Sequence, residues 1–378
     1  MNDRLAPICF VPPAADTPWT GPPEESSAVQ LRRGDGVEVE LESRLFWYDP
    51  PWERIRIETS DLIATSVAQL GVCVSAMRSD LATPDGEPRL HERWEAEAPD
   101  DGSEPERGFL PRMLPYRPER YGLNDRDFDG PRVIDVRLTM NRNSTGRFAF
   151  SPQQIERWEA TPSNEPLAGG SWVPSATFPP DVDSMETLGF KLEQLRWLSP
   201  EAAIFVSLGP HRLGTELKAV LSTRPDGVIL RLDELDLSGL QLAQTVQGTR
   251  RGMDLLGAEK LPLWIVPGTI TPDDAVKLVA LGANGIAIDR WCDEIMEQAI
   301  VAQQSAPTLG GYSSISSSRE GEIVEMIEYD LAYQVERFEG LLHSLDYQPH
   351  GERLAALSED WGQRLGISML TLPFAGEG

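Results

Sequence analysis

The segment Leu261–Arg290, LPLWIVPGTITPDDAVKLVALGANGIAIDR, constrains the fold more than any other. Leu263-Trp264-Ile265-Val266 is an apolar run of strand length, closed by Pro267-Gly268. Thr271 is placed to cap a helix and Pro272 suits its first position. Asp273 and Asp274 stand where the positive end of the helix dipole favours acids. Ala275, Val276, Leu278, Val279 and Leu281 supply the apolar face, and Gly282 ends the helix. Asn284-Gly285 then turns the chain into a second strand, Ile286-Ala287-Ile288, which stops at Asp289-Arg290. Strand, loop, helix and strand within about thirty residues predict two parallel neighbours, in an open sheet or a closed barrel.

The rest of the chain repeats this unit. Asp183 with Glu186 three residues later opens a helix to Leu198, whose apolar stripe is Leu188, Phe190, Leu192, Leu195 and Leu198. Ala202–Leu208 reads as a buried strand, 213–221 as a helix, 227–232 as a strand and 240–256 as a helix. Alternating helices and strands from Pro180 onward are the rhythm of a parallel barrel. Upstream, 72–77 and Val133–Leu138 read as strands and 59–70 as a helix. At 378 residues the chain accommodates one barrel of ~250 residues with extensions. The predicted fold is therefore α/β, a (β/α)8 TIM barrel at 56–305. An irregular N-terminal arm and strand (1–55) precede it, and a helical extension (306–378) follows. The first thirty residues are rich in Pro, Ala, Glu and Ser, and read as an extended or partly disordered arm tied down through Ile8, Phe10, Val11 and Trp19. Phe46-Trp47-Tyr48 reads as an aromatic core or interface cluster. The stretch 83–118 is charged and broken by Pro and Gly, and reads as a loop insertion.

Charge excludes some partners. Sixty acids against 34 bases give a net charge of −26 with no basic block, which argues against nucleic acid or an anionic membrane surface. No apolar run reaches the ~20 residues of a membrane span, and the N-terminus lacks a signal pattern, so a cytoplasmic location is expected. Cys9, Cys73 and Cys292 lie too far apart for a disulfide framework or a metal cluster.

Residues 118–365 resemble the FMN-binding domain of glutamate synthase. Pro118-Glu119-Arg120-Tyr121-Gly122 is similar to that family's Pro-x-Arg-Phe-Gly segment. Thr145-Gly146-Arg147-Phe148 before Ser151-Pro152 is similar to its Ser-Gly-Arg-Phe loop. Gly169-Gly170, Asp183-Ser184-Met185-Glu186, Pro200-Glu201-Ala202, Gly214-Thr215 and Asp226-Gly227-Val228-Ile229 fall where its corresponding segments lie. The departures fall on the chemistry. Ser207 stands where the family carries Lys, Leu232–Gly239 replaces its His-Asp-Gly-Gly-Thr-Gly loop, and Pro267-Gly268-Thr269 replaces its Asp-Gly-Gly. Asp289-Arg290 replaces the end of its Gly-Phe-Gly-Thr strand, and one cysteine, Cys292, remains of its three-cysteine cluster pattern.

The resemblance places a flavin site at Arg147, Ser207, Arg231, Gly268, Thr269, Asp289 and Arg290, positions mostly substituted here. The βα loops at strand C-termini are where barrel enzymes work, and there Arg231 or Arg290 can replace the missing Lys as a phosphate partner, with Gly268 and Thr269 as backbone donors. Surface ion pairing is the plainer role for both arginines. Asp233 lies at the same end, and His211 is a candidate base without a visible partner. The loss of several contacts at once predicts a degenerate barrel with no cofactor, neither FMN nor an iron–sulfur cluster, acting as a non-catalytic partner or scaffold. The alternative is an FMN-dependent oxidoreductase with altered phosphate contacts, and the second alternative a barrel for another small anion or sugar phosphate. A protein partner or a homo-oligomer is expected on the strength of the Pro-rich arm and the aromatic cluster.

Overall fold

A computed structural model of the chain describes residues 3–11, 29–81, 93–95, 107–116, 125–138, 149–150, 173–174, 185–304, 317–346 and 353–370. Eight strands close into a barrel: β1 (Leu45–Trp47), β2 (Cys73–Ser75), β3 (Arg112–Tyr116), β4 (Val133–Arg137), β5 (Ala203–Leu208), β6 (Gly227–Arg231), β7 (Leu263–Val266) and β8 (Gly285–Ala287). Every pair is parallel and sequential, and Leu45 opposite Ile286 closes the ring. Helices α1 (Ile57–Ala68), α2 (Met185–Leu198), α3 (Leu213–Ser222), α4 (Gly239–Leu255), α5 (Pro272–Ala280) and α6 (Asp293–Gln304) carry the chain between strands or away from the last. The expected TIM barrel is the observed fold.

The strands are buried on both faces, yet the two faces differ in composition. Leu114, Ile134, Val136, Ile204, Val206, Val228, Leu230, Leu263 and Ile265 pack with the helix-side core. Phe46, Cys73, Met113, Val133, Ala203, Phe205, Ile229, Trp264 and Ala287 fill the barrel, so neighbouring residues alternate between the two as the pleat requires. The Phe46 and Trp264 rings stack at 4.6 Å, and Phe205 lies 4.7 Å from Trp264. This aromatic layer needs glycine in the adjoining strands. A Cβ on Gly227 would lie 2.3 Å from Phe205 Cζ, and one on Gly285 2.6 Å from Trp264 Cδ1. A hairpin of Val29–Arg32 and Glu38–Leu41 plugs the N-terminal end of the barrel with Leu31, Val39 and Leu41. It is held there by Gly34 N–H donating to Asp226 Oδ1 (3.0 Å) and by Arg33 donating to the Pro200 and Ala202 carbonyls.

The structure revises several expectations. The barrel begins in Leu45–Trp47, ahead of the 55/56 boundary, so the aromatic cluster is its first strand. Arg112–Tyr116 is barrel strand β3, although it falls inside the segment read as an insertion. Its Arg112 is buried and donates to the carbonyls of Ala76 (3.1 Å), Asp127 (2.8 Å) and Asp129 (2.8 Å). Those carbonyls engage the two terminal nitrogens of a guanidinium that the sequence pattern assigns to a surface. On α2, Leu188, Leu192 and Leu195 are buried as expected, but Phe190 and Leu198 are 73% and 49% exposed.

The N-terminal residues are packed. Leu5 and Ile8 are buried, and Ile8–Phe10 pairs antiparallel with Leu354–Ala356 of the C-terminal extension. That extension contains helices α7 (Ser317–Met326), α8 (Ala332–Asp346) and α9 (Glu359–Leu365), with a π-helical turn at Ile327–Leu331 between the first two. Helix α8 lies on α5, where Arg337 pairs with Asp273 at 2.8 Å. Among the described residues no helix is long and apolar enough to cross a membrane.

Candidate functional site

The C-terminal ends of the strands gather polar side chains where the barrel interior should otherwise be apolar. In β4, Val133, Asp135 and Arg137 share the inward face, and Ser207, Arg231 and Tyr48 reach the same end. Asp135, fully buried, accepts from Arg137 Nε at 2.6 Å and from Ser207 Oγ at 2.5 Å. Ser207 Oγ in turn accepts from the Tyr48 hydroxyl at 3.0 Å. Arg137, 5% exposed, also donates to Asp49 Oδ1 at 3.0 Å and to the Tyr48 carbonyl, and its guanidinium lies 3.8 Å from the Tyr48 ring centroid. Burial pushes the Tyr48 phenol well above its usual range, so it stays a neutral donor. This network floors the mouth of the barrel with its hydrogen bonds made.

Asp289 braces the rim. Its carboxylate accepts from the backbone N–H groups of Tyr48 (3.2 Å) and Asp49 (2.7 Å), tying the end of β8 to the end of β1. Burial pushes its carboxyl up to about 7, against the opposing pull of those N–H groups. Asp233, just past β6, is also raised by burial, opposed by Arg231.

A second part of the mouth holds unused donors. Arg231 pairs with Glu234 at 2.7 Å and lies 4.0 Å from Asp233 Oδ1, but its buried Nε has no hydrogen-bond partner among the described residues. Asp233 Oδ1, the atom 4.0 Å from that Nε, accepts no hydrogen bond among the described residues either, so the two face each other as a long ion pair. Beside them the loop after β7 turns at Gly268, whose φ of +74° suits glycine. A Cβ there would come 3.6 Å from Asp233 Cα, so the missing side chain keeps open the space between loops β6–α4 and β7–α5. Among the described residues nothing accepts from the N–H groups of Gly268, Thr269 or Ile270. The carbonyls of Pro267 and Thr269 accept from Arg4 at 3.1 Å each, and no peptide bond is cis. Each trans peptide therefore points its N–H, that of Gly268 or of Ile270, away from Arg4. Three free amides and a guanidinium edge make a donor set suited to a small oxyanion.

The expected positions thus divide. Arg231, Gly268 and Thr269 lie at the ends of the neighbouring strands β6 and β7. Ser207 and Asp289 belong to the adjoining network and rim. Arg290 sits at the same end in the turn after β8, 49% exposed and paired with Asp293 at 3.1 Å. Arg147 lies outside the described residues. His211 is exposed in the turn after β5. Sequence reasoning missed Tyr48, Asp135 and Arg137. The available signal was polar residues at the alternate, inward positions of the apolar run Val133-Ile134-Asp135-Val136-Arg137.

No protein-family model matches the chain, and no curated protein matches it in sequence. Solved structures do match in shape. Mandelate oxidase with (S)-2-phenylpropionate aligns with TM-score 0.50 and 12% identity, over 93% of this chain and 86% of that one. A mandelate oxidase variant with (S)-mandelic acid gives TM-score 0.50 and 12% identity, over 93% and 87%. These likenesses establish the shared barrel. Another mandelate oxidase structure, at TM-score 0.48 and 13% identity over 90% of this chain and 84% of that one, carries a C4a-hydroxy FMN adduct. The expectation of a barrel without a cofactor does not stand on the geometry of this mouth, where donors suited to a phosphate remain open beside β6 and β7. The physical reason lies in the loop after β7. Substituted side chains do not remove a phosphate site built from backbone N–H groups, and here Gly268, Thr269 and Ile270 keep theirs. The unpartnered Arg231 Nε and the space left by Gly268 fit the phosphate of such a group.

Proposed function

We propose that the chain is an FMN-dependent oxidoreductase with altered phosphate contacts. The observation that carries this reading is the set of unused donors beside β6 and β7: Arg231 Nε with the amides of Gly268, Thr269 and Ile270. The FMN phosphate would be held there, with Arg231 supplying the charge that the family's Lys supplies elsewhere in the barrel. Arg290 adds a second cation, since its exposed pair with Asp293 is worth only ~0–1 kcal/mol and exchanges readily. Asp289 opposes an anion less than an ordinary carboxylate does, because burial keeps it partly protonated near neutral pH. Bound FMN would supply hydride and electron transfer, which the side chains alone do not. The network of Tyr48, Ser207, Asp135 and Arg137 closes the floor of the mouth and keeps water out of the barrel. Kinship with the glutamate synthase flavin domain in particular is part of this proposal, supported by the ordered run of similar segments between 118 and 365. The non-catalytic scaffold reading rested on loss of the cofactor and gives way to the flavin reading.

Because those donors recognise a phosphate rather than a flavin ring, a sugar phosphate or similar small phosphate is the second reading. Spectral titration of Arg231→Met against the unaltered protein tests the first. We expect FMN uptake by the unaltered protein, weakened at least tenfold in the variant, since a hydrogen bond to a charged group is worth ~1.5–3 kcal/mol. Equal FMN affinity in both would remove Arg231 from the site. Binding of inorganic phosphate without any FMN or riboflavin uptake would favour the second reading.

A further inference from the structure

The segment that carries Arg4 reaches across two βα loops of the mouth. The Arg4 guanidinium donates to the carbonyls of Pro267 and Thr269 at 3.1 Å each and to that of Leu237, so one side chain ties the loop after β7 to the loop before α4. Its backbone is fixed as firmly. Asp274, in the first turn of α5, accepts from Arg4 N (2.9 Å) and Leu5 N (2.8 Å), and Lys277 donates to the Leu5 carbonyl (3.1 Å) and to Asp3 (3.0 Å). The segment also presses on the start of α4, where a Cβ at Gly239 would lie 1.9 Å from the Arg4 carbonyl oxygen. Leu5 beneath it is fully buried. Several independent contacts therefore place this guanidinium, and it takes as acceptors two carbonyls of one short loop.

We infer that Arg4 is a positioning residue for the phosphate cradle, and this rests on the flavin reading above. Left alone, a loop of the sequence Pro267-Gly268-Thr269-Ile270 has no reason to turn its amides one way, because glycine permits many conformations. Holding the Pro267 and Thr269 carbonyls on the Arg4 side fixes the orientation of both peptide planes. The N–H groups of Gly268 and Ile270 then face away together, ready for an oxyanion before it arrives. Arg4 touches no ligand in this account. Its charge acts through the loop, and it also draws electron density from the carbonyls it binds, which strengthens the amides as donors.

The test compares FMN with riboflavin, which has the same ring system and no phosphate, by quenching of flavin fluorescence. The proteins are the unaltered chain, Arg4→Met and Arg4→Lys. We expect Arg4→Met to weaken FMN roughly ten- to a hundredfold, the loss of one or two hydrogen bonds to a charged group, and to leave riboflavin within about twofold. Arg4→Lys keeps the charge and one nitrogen for the two loop carbonyls, which both accept from Arg4 Nη1, but loses the planar fork that also holds the Leu237 carbonyl, so it should fall between. Should Arg4→Met not fold, Arg4→Lys carries the comparison alone and should still weaken FMN more than riboflavin. Equal losses for both ligands would mean a general structural role and would overturn the inference, as would unchanged FMN affinity. If the unaltered chain takes up neither flavin, the flavin reading fails before any variant is considered, and this inference falls with it.

Discussion

Replacing Asp135 by asparagine removes one charge from the floor of the barrel and changes almost nothing in volume. Asp135 is fully buried and accepts from both Arg137 Nε (2.6 Å) and Ser207 Oγ (2.5 Å). Asparagine can still accept from one of them, but its amide then presents N–H groups to the other donor. Arg137 is left 5% exposed with Asp49, whose carboxylate is 39% exposed on the solvent side, and with two neutral acceptors. Breaking a buried pair costs about 3–5 kcal/mol. The remaining pair with Asp49 is solvent-screened and recovers up to ~1 kcal/mol of that, so the lower half of the range applies, about 3 kcal/mol. In a chain of this length that lowers Tm by roughly 6 °C, at ~2 °C per kcal/mol. Urea unfolding followed by tryptophan fluorescence measures it, since Trp264 lies in the adjoining aromatic layer. The decisive comparison is Asp135→Asn combined with Arg137→Met, where no buried charge is left without its partner. We expect the double variant to be more stable than the sum of the two single losses by at least ~1.5 kcal/mol, within the range for residues in contact. Additive losses within ~0.5 kcal/mol would refute the claim that these two groups share one buried interaction.

Three further outcomes follow from the same geometry. Gly227→Ala places a Cβ 2.3 Å from Phe205 Cζ in an aromatic layer with no slack, and should cost about 1–3 kcal/mol of stability, seen as a lower denaturant midpoint, without altering the far-ultraviolet circular dichroism. The Asp289 carboxyl, raised to about 7 in the fold from an ordinary 3.8, makes the folded chain bind more protons than the unfolded one between those values. Its contribution to stability therefore falls as pH rises through that window, and Asp289→Asn should flatten the dependence of Tm on pH between 5 and 8, with Asp274, raised to about 6 by burial and by its bond with Asp3, keeping part of the slope. For the same reason Asp289→Asn should strengthen FMN binding more at pH 8 than at pH 6.5, a comparison between proteins in which the titration of the ligand's own phosphate, with its second pKa of about 6, cancels.

How much of this was legible in the sequence depended on where each element's hydrogen bonds and charges ended up. The unit from Leu263 to Ala287 was readable because its signals agree. Four apolar residues make the strand, and Thr271 with Asp274 forms the cap at the first turn of α5, each bonding the other's backbone N–H at 3.1–3.3 Å. β3 was hidden because Arg112 and Pro115 in a charged neighbourhood look like a loop. Only the fold supplies the three carbonyls that make a buried arginine affordable there. Phe190 and Leu198 continued the apolar spacing of α2 but lie outside its buried face, since spacing alone does not say how wide that face is. At the site, Arg231, Gly268 and Thr269 were visible as residues at strand ends, whereas Asp135 and Arg137 passed as an ordinary alternating strand. Arg4 gave no signal at all. A lone arginine near a Pro-rich terminus acquires its role only when the chain brings it some 260 positions along the sequence to Pro267 and Thr269.

The central claim is that the mouth of this barrel takes FMN, and a visible-absorption titration of the unaltered protein with FMN tests it most directly. The account predicts one FMN per chain, with the flavin bands shifted and structured by a protein environment and the fluorescence quenched. A protein that leaves the spectrum of added FMN unchanged at equal and at excess FMN would contradict it.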